Sequence, residues 1–149
     1  MLGAARSALD LDLSGVDAYA ADVGPGSFTG VRVGVMLAKT FAYLYDKPVI
    51  GADSFDLIDP DGIAVVPSKR GEYFVRRPGT PPFRTADLGS DPFRGYGSGL
   101  DPITPPDAAR FARLIDGLTP QRALDFVPAY LIDPSISIPK RPYAEAARG

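Results

Sequence analysis

Apolar side chains recur at helical spacing from Ser27 to about Tyr45, interrupted only by Gly34, and Pro48 follows where a helix must already have stopped. At about 100° per residue, Val33, Leu37, Phe41 and Leu44 form one apolar stripe. Val31, Val35, Ala38, Ala42 and Tyr45 form a second stripe of smaller residues beside it. Arg32, Lys39 and Tyr43, flanked by Met36 and Thr40, make the polar or mixed arc. So broad an apolar arc predicts a helix covered on two sides, by a sheet and by another helix, and one cover can come from another chain.

Elsewhere the pattern is shorter in period. Val16 to Val23 reads as a strand that leads into a glycine run, and Pro48 to Gly51 as the next strand. Strand, helix and strand in that order predict a parallel pair joined by a crossover. Asp53 to Ile58 reads as a connecting turn or short helix. Ile63 to Val66 and Glu72 to Arg76 read as an antiparallel hairpin around the polar turn Ser68-Lys69-Arg70-Gly71. Phe83 to Leu88 is a candidate short strand, and Phe93 to Leu100 is rich in aromatic residues and glycine. Asp107 to Ile115 is a predicted helix, with the Asp107 carboxylate near its free N–H groups. Met1 to Leu9 has the spacing of a helix end. Phe126 to Leu131 is a last short element before a proline-punctuated tail.

The 149 residues are 45% apolar and 23% charged, which suits one globular domain or two small lobes on a shared core. Gly 16 and Pro 16 make the half after Val66 loop-rich. A formal net charge of -2 without a basic run lacks the footprint of direct nucleic-acid binding, so contact with RNA is expected only through a partner. No apolar stretch is long enough to span a membrane and no signal-peptide pattern opens the sequence, so a cytoplasmic location is the expectation. With Cys 0 and His 0, thiol nucleophiles, imidazole bases, disulfides and zinc sites are excluded, and carboxylates, Lys and Tyr remain for acid–base work.

The glycine run Gly24-Pro25-Gly26-Ser27-Phe28-Thr29-Gly30 lies at the strand-to-helix junction. Two readings of it stay open. Its N–H groups and the helix N-terminus can cradle an anion, although the spacing is neither that of a dinucleotide loop nor that of a P-loop. Alternatively it is a tight turn in which Pro25 fixes the chain, Ser27 caps the helix and Phe28 enters the core. Asp17, Asp22 and Asp53 stand at strand ends, where parallel sheets carry active-site carboxylates and also plain turn residues. Arg32 and Lys39 offer contacts to an acidic partner or a solvated face.

The run from Gly24 to Gly34, followed by Ala38-Lys39, resembles the signature of the TsaB (YeaZ-type) family. Leu13 to Ala18 resembles the lead-in loop and strand of that family, and Lys47-Pro48-Val49-Ile50-Gly51 its next strand. Arg70-Gly71-Glu72 is similar to its hairpin, and Pro128-Ala129-Tyr130-Leu131 to its near-terminal Pro-x-Tyr-Leu. The family's Asp-Ala-Arg before the hairpin is here Pro67-Ser68-Lys69.

The resemblance implies an α/β fold of the actin-like ATPase type (ribonuclease H-like), without a working active site. It implies a partner subunit that supports TsaD, which transfers the threonylcarbamoyl group to an adenosine of tRNA. Family members dimerise, or pair with TsaD, through a bundle of their first helices, and the ATPase TsaE joins the complex. No cofactor is then expected on this chain alone, with ATP or ADP a possibility in the complex, and tRNA is met only there. The implied partner surface is the long helix, through Arg32, Val33, Met36, Leu37, Lys39 and Thr40, launched by the Gly24 to Gly30 turn. Family members usually begin with a meander carrying Asp-Thr-Ser, and this sequence opens inside the helix that follows it, so an N-terminally shortened first lobe is expected. The expected organisation is a partial first lobe over 1–60, a reduced second lobe over 61–131 and a proline-rich tail over 132–149. The competing reading is an enzyme of the same superfamily, a nucleotide-binding phosphotransferase or a glycopeptidase-like hydrolase.

Overall fold

The structure is a computed structural model that describes residues 12–69 and 71–129. The helix expected over Met1 to Leu9 and the tail from residue 132 lie outside the described residues. After a 3-10 turn at Leu13–Gly15, strand β1 (Tyr19–Asp22) leads through the glycine run into helix α1 (Phe28–Leu44), and strand β2 (Val49–Ala52) returns parallel to β1. Tyr19 stands beside Val49 and Asp22 beside Ala52 in the register. The strand, helix and parallel strand expected from the pattern are all present, with β1 shorter than predicted.

Both ends of α1 have local causes. The Ser27 hydroxyl accepts from the Gly30 N–H at 3.4 Å, and the first intrahelical bond runs from the Val31 N–H to the Ser27 carbonyl at 2.9 Å. At the other end Asp46 takes a positive φ of 50°, which lets the Lys47 N–H reach back to the Ala42 carbonyl at 2.9 Å and close the helix. The small-residue stripe faces the sheet. Val35, Ala38 and Ala42 are buried with Ala21 and Val49, and two alanines on this face let the helix axis come close to the strands.

Helix α2 (Ser54–Ile58) follows β2 and links to a second sheet. There β3 (Ala64–Pro67) and β4 (Tyr73–Arg76) form the predicted antiparallel hairpin, with β5 (Phe83–Thr85) outside β4. Unpredicted by any run of residues, β6 (Arg94–Gly95) adds to the other side of β3, in parallel, for an order of β5-β4-β3-β6. Phe55 and Ile58 of α2 pack on Ala64 and Val66 of β3, with Phe74 and Tyr96 against them. Arg76 fastens β4 to α2: its guanidinium pairs with the Asp56 carboxylate, donates to the Asp59 carbonyl at 2.7 Å and lies over the Phe55 ring. The helix expected over Asp107 to Ile115 is broken into a 3-10 turn (Ala108–Arg110), the short α3 (Phe111–Leu114) and another 3-10 turn (Ile115–Gly117). Asp107 does cap it, accepting from the Ala109 N–H at 2.9 Å.

The chain then returns to the first sheet. Val49 and Gln121 exchange backbone hydrogen bonds of 3.0 and 2.8 Å, Phe126 is buried among the α1 and sheet residues, and the Ala129 N–H donates to the Val23 carbonyl at 2.8 Å. Residues 121–129, grouped with the second lobe in the sequence reading, therefore pack on the first sheet as a strap. Gly51 makes room for it, since a Cβ there would stand 2.7 Å from Val23 Cγ1 and 2.8 Å from Phe126 Cε2. Gly51→Ala is accordingly expected to lower stability by about 1–3 kcal/mol, measured as a drop in the urea midpoint with unchanged slope. No described helix is long and apolar enough to cross a membrane.

Candidate interaction site

The glycine run is tied down from several directions. Asp22, at the end of β1, accepts from the Gly24 N–H at 2.8 Å and from the Ser54 hydroxyl at 2.7 and 2.9 Å. Ser54 is wholly buried and its own N–H donates to the Gly24 carbonyl at 2.8 Å. Gly24 sits at φ +98°, a region that favours glycine, and a Cβ there would lie 3.1 Å from the Ala129 carbonyl oxygen. From the second sheet, the Tyr96 hydroxyl comes within 3.1 Å of where a Gly26 Cβ would be. Pro25 is buried and follows Gly24 through a cis peptide bond. The turn thus holds together β1, α2, the strap and the second sheet.

This geometry supports the tight-turn reading over the anion cradle. Two of the N–H groups an anion needs, those of Gly24 and Gly30, already donate to Asp22 and Ser27, and the Asp22 carboxyl occupies the mouth of the turn. Phe28, expected in the core, is exposed instead and lies under the Arg32 guanidinium, 4.1 Å from its ring centre. Burial pushes the Asp22 carboxyl above the usual carboxylate range, against the lowering effect of its bonds from Ser54 and Gly24. Tyr96 is also raised, by burial first and then by Asp22. Asp53, which caps α2, is raised by burial, partly offset by the Asp56 N–H and by Arg76.

The sign of the resulting pH dependence follows directly. A carboxyl whose folded pKa is raised contributes stability that is fully present below the unfolded value, about pH 4, and is lost as pH rises through the folded value. Asp22→Asn, which keeps an oxygen for Gly24, is therefore expected to gain stability relative to the parent as pH goes from about 4 to neutrality. Thermal melts of the pair across that range check it, and a constant difference would contradict it.

The sequence pointed to the outer surface of α1, and there the structure separates the two stripes. The Val33 stripe is left toward solvent: Val33 is 62% exposed, Met36 59% and Leu44 65%, with Leu37 exposed and Phe41 half-buried. Two polar groups on this helix are engaged within the chain. The Lys39 ammonium donates to the Leu124 carbonyl at 3.4 Å, and the Thr40 hydroxyl to the Met36 carbonyl at 2.7 Å. What remains facing outward through Val33, Met36, Leu37 and Leu44 is apolar and uncharged. Thr29 and Gly30 lie exposed at the head of the helix. Ser54, Tyr96 and Phe126, which hold the turn and helix in place, were given no role at the turn by the sequence reading, which placed Ser54 in a turn or short helix, Tyr96 in an aromatic stretch and Phe126 at the start of a short element that has no regular structure over residues 126–129.

A family model described as "TsaD: tRNA N6-adenosine threonylcarbamoyltransferase" matches residues 1–58, the part that holds β1, the glycine run, α1 and β2. The tRNA threonylcarbamoyladenosine biosynthesis protein TsaB of Bacillus subtilis is 49% identical over 39 residues, 26% of this chain, and that of Haemophilus influenzae 58% identical over 40 residues, 27% of this chain. The matched segment spans 17% of each of these relatives. YeaZ from Pseudomonas aeruginosa superposes with a TM-score of 0.70 at 20% identity, covering 88% of this chain and 82% of its own. The chain shares the TsaB signature and the YeaZ fold. A Pseudomonas aeruginosa structure described as an uncharacterized protein with similarity to peptidase YeaZ matches equally well, with a TM-score of 0.70, 18% identity and 89% of this chain covered. The TsaB resemblance is thus dense over a short stretch of sequence and extends over most of the α/β fold.

Proposed function

We propose that this chain is a non-catalytic subunit that docks on a TsaD-type transferase and supports threonylcarbamoyl transfer to tRNA. The observation that carries this is the outward stripe of α1: apolar, uncharged and presented by a helix that the glycine turn and the strap hold in place. A helix so clad is disfavoured in water and fits a second helix with a similar stripe. The TsaB names of the sequence relatives and the TsaD description of the matching family supply the partner class. In this reading the fold is an actin-like lobe whose turn has become structural, and TsaE and tRNA are met only through the complex.

The residues assigned to the docking surface are Val33, Met36, Leu37 and Thr40, with Arg32 and Lys39 on its flank. Nothing in the geometry favours the phosphotransferase or hydrolase reading: the Gly24 and Gly30 N–H groups are spent on Asp22 and Ser27, and Asp22 is itself held by the Gly24 N–H and the Ser54 hydroxyl. Co-purification of this chain with TsaD tests the proposal. Retention of TsaD in amounts similar to those held by a full-length TsaB supports it, and loss of TsaD under conditions where the full-length protein holds it refutes it.

A further inference from the structure

The second sheet reaches the glycine run through the tip of Tyr96. The backbone of this residue, which follows β6, is fixed on both sides. Its N–H donates to the Val65 carbonyl at 3.3 Å, and neither neighbour has room for a side chain. A Cβ at Gly95 would overlap the Val65 carbonyl, and one at Gly97 would stand 2.8 Å from Tyr73 Cε1. The ring packs with Phe55 and Ile58 of α2 and with Ala64 and Val66 of β3, so the body of Tyr96 belongs to the core of the second sheet. Its hydroxyl end crosses to the first.

There the Tyr96 oxygen ends 3.1 Å from the point that a Cβ on Gly26 would occupy. Val31 Cγ2 at 3.4 Å and Ser54 Oγ at 3.9 Å are the next nearest atoms. The slot beside Gly26 is therefore walled by the second sheet, by the first turn of α1 and by α2. Gly26 precedes Ser27, whose hydroxyl and carbonyl hold the N–H groups of Gly30 and Val31. A shift of Gly26 thus moves the cap of α1 and not only the loop before it. The hydrogen bonds from Asp22 and the Ser54 N–H hold the turn at Gly24, whereas Tyr96 bounds it at Gly26, next to the cap.

We infer that Tyr96 is a positioning residue for α1: through its tip the second sheet sets where the turn stands, and so how the helix presents its outer stripe. A close-packed interior passes a displacement on rather than absorbing it. Because the Tyr96 ring is wedged between α2 and β3, a methyl group added at Gly26 displaces the turn and the head of α1. The functional consequence rests on the reading that the stripe docks a TsaD-type partner; the fit of Tyr96 to Gly26 does not.

Charge gives the contact a signature. Asp22 faces the Gly24 N–H from the turn, the Ser54 hydroxyl from α2 and Tyr96 from the second sheet. After burial, the Asp22 charge is the second cause that raises the Tyr96 hydroxyl. Ionisation of a group on β1 is therefore felt by a ring of the second sheet.

A double-mutant cycle across the contact tests the inference, read in the full chain by hydrogen exchange and by TsaD binding. Gly26→Ala is expected to speed exchange in the first turns of α1 about tenfold and to weaken docking by about as much. Tyr96→Phe leaves no atom of that side chain within 3.9 Å of the added methyl group. Alone it is expected to change either readout less than about threefold, and in the double variant to bring both back to within about threefold of the parent. A tyrosine that served only its own sheet would not rescue a lesion in the turn. Should Gly26→Ala not fold, the Tyr96 ring signal of a tyrosine-labelled chain, assigned by its loss in Tyr96→Phe, is expected to shift as Asp22 titrates and to stay still in Asp22→Asn. A Gly26→Ala chain that exchanges like the parent overturns the inference, as does one that Tyr96→Phe fails to rescue, or a Tyr96 signal blind to Asp22. If TsaD binds all four chains equally while the exchange cycle behaves as expected, the inference falls and the proposed function stands. If the exchange cycle behaves as expected and the parent does not hold TsaD, the proposed function falls and the positioning of α1 by Tyr96 stands.

Discussion

Phe126→Ala is expected to destabilise the chain by about 3–5 kcal/mol, the range for deleting a fully buried phenyl ring. Phe126 is 1% exposed and packs against the same cluster as Val35, Ala38 and Ala42 of α1 and Ala21 and Val49 of the sheet. Its loss opens a cavity under the helix and also loosens the strap, whose other described ties are Ala123 in the same cluster, the Gln121 and Ala129 backbone bonds to the first sheet and the Lys39 ammonium on the Leu124 carbonyl. Denaturant unfolding gives the size of the effect. Hydrogen exchange gives its location, since faster exchange in β1, β2 and α1 is expected to accompany the loss. A cost below about 1 kcal/mol would mean that the strap is not part of the core.

Leu37→Asp is expected to weaken binding to a TsaD-type partner by about 2–4 kcal/mol, or roughly thirtyfold to a thousandfold, while leaving the isolated fold intact. Leu37 lies at the middle of the stripe among Val33, Met36 and Leu44, and a carboxylate there must be desolvated when the stripe is covered, while the basic groups of α1, Arg32 and Lys39, stand only on its flank. Because Leu37 is exposed in the free chain, its replacement removes little from the core. A binding titration together with a thermal melt separates the two effects. Equal loss of binding and of folding would contradict the placement of Leu37 on the docking surface.

The elements closest to the α1 signal were the most legible in the sequence. A helix bounded by Ser27 and Pro48, with one small and one large apolar stripe, emerges with nearly the predicted ends because cap, period and breaker all agree on it. The parallel pair and the hairpin follow from short apolar runs between turn residues. Strand β6 did not show itself, because two residues, Arg94 and Gly95, carry no period and are held by pairing with Ala64 and Val65 across a long loop. The strap was hidden for a similar reason: Phe126 is one buried ring in a segment without regular structure, placed by tertiary contacts alone.

The turn was half legible. Its glycines and the Ser27 cap were visible, and two readings of them stood side by side. The partners that favour the structural one, Ser54 and Tyr96, lie remote in sequence, and only folding brings them to Asp22 and Gly26. Phe28 shows the limit of local reasoning. A phenylalanine after a cap was expected in the core, yet here the first turn of α1 is exposed and the ring is left to Arg32.

Docking through the outer stripe of α1 is tested most directly by labelling a single cysteine placed within it. Val33→Cys, in a chain with no other cysteine, reacts with a maleimide at a rate set by its exposure. Saturating TsaD is expected to slow that reaction at least about tenfold while leaving a control cysteine at Thr80, on the second sheet's outer loop, unaffected. An unchanged rate at Val33→Cys, with TsaD shown to be bound, would place the docking surface elsewhere on the molecule.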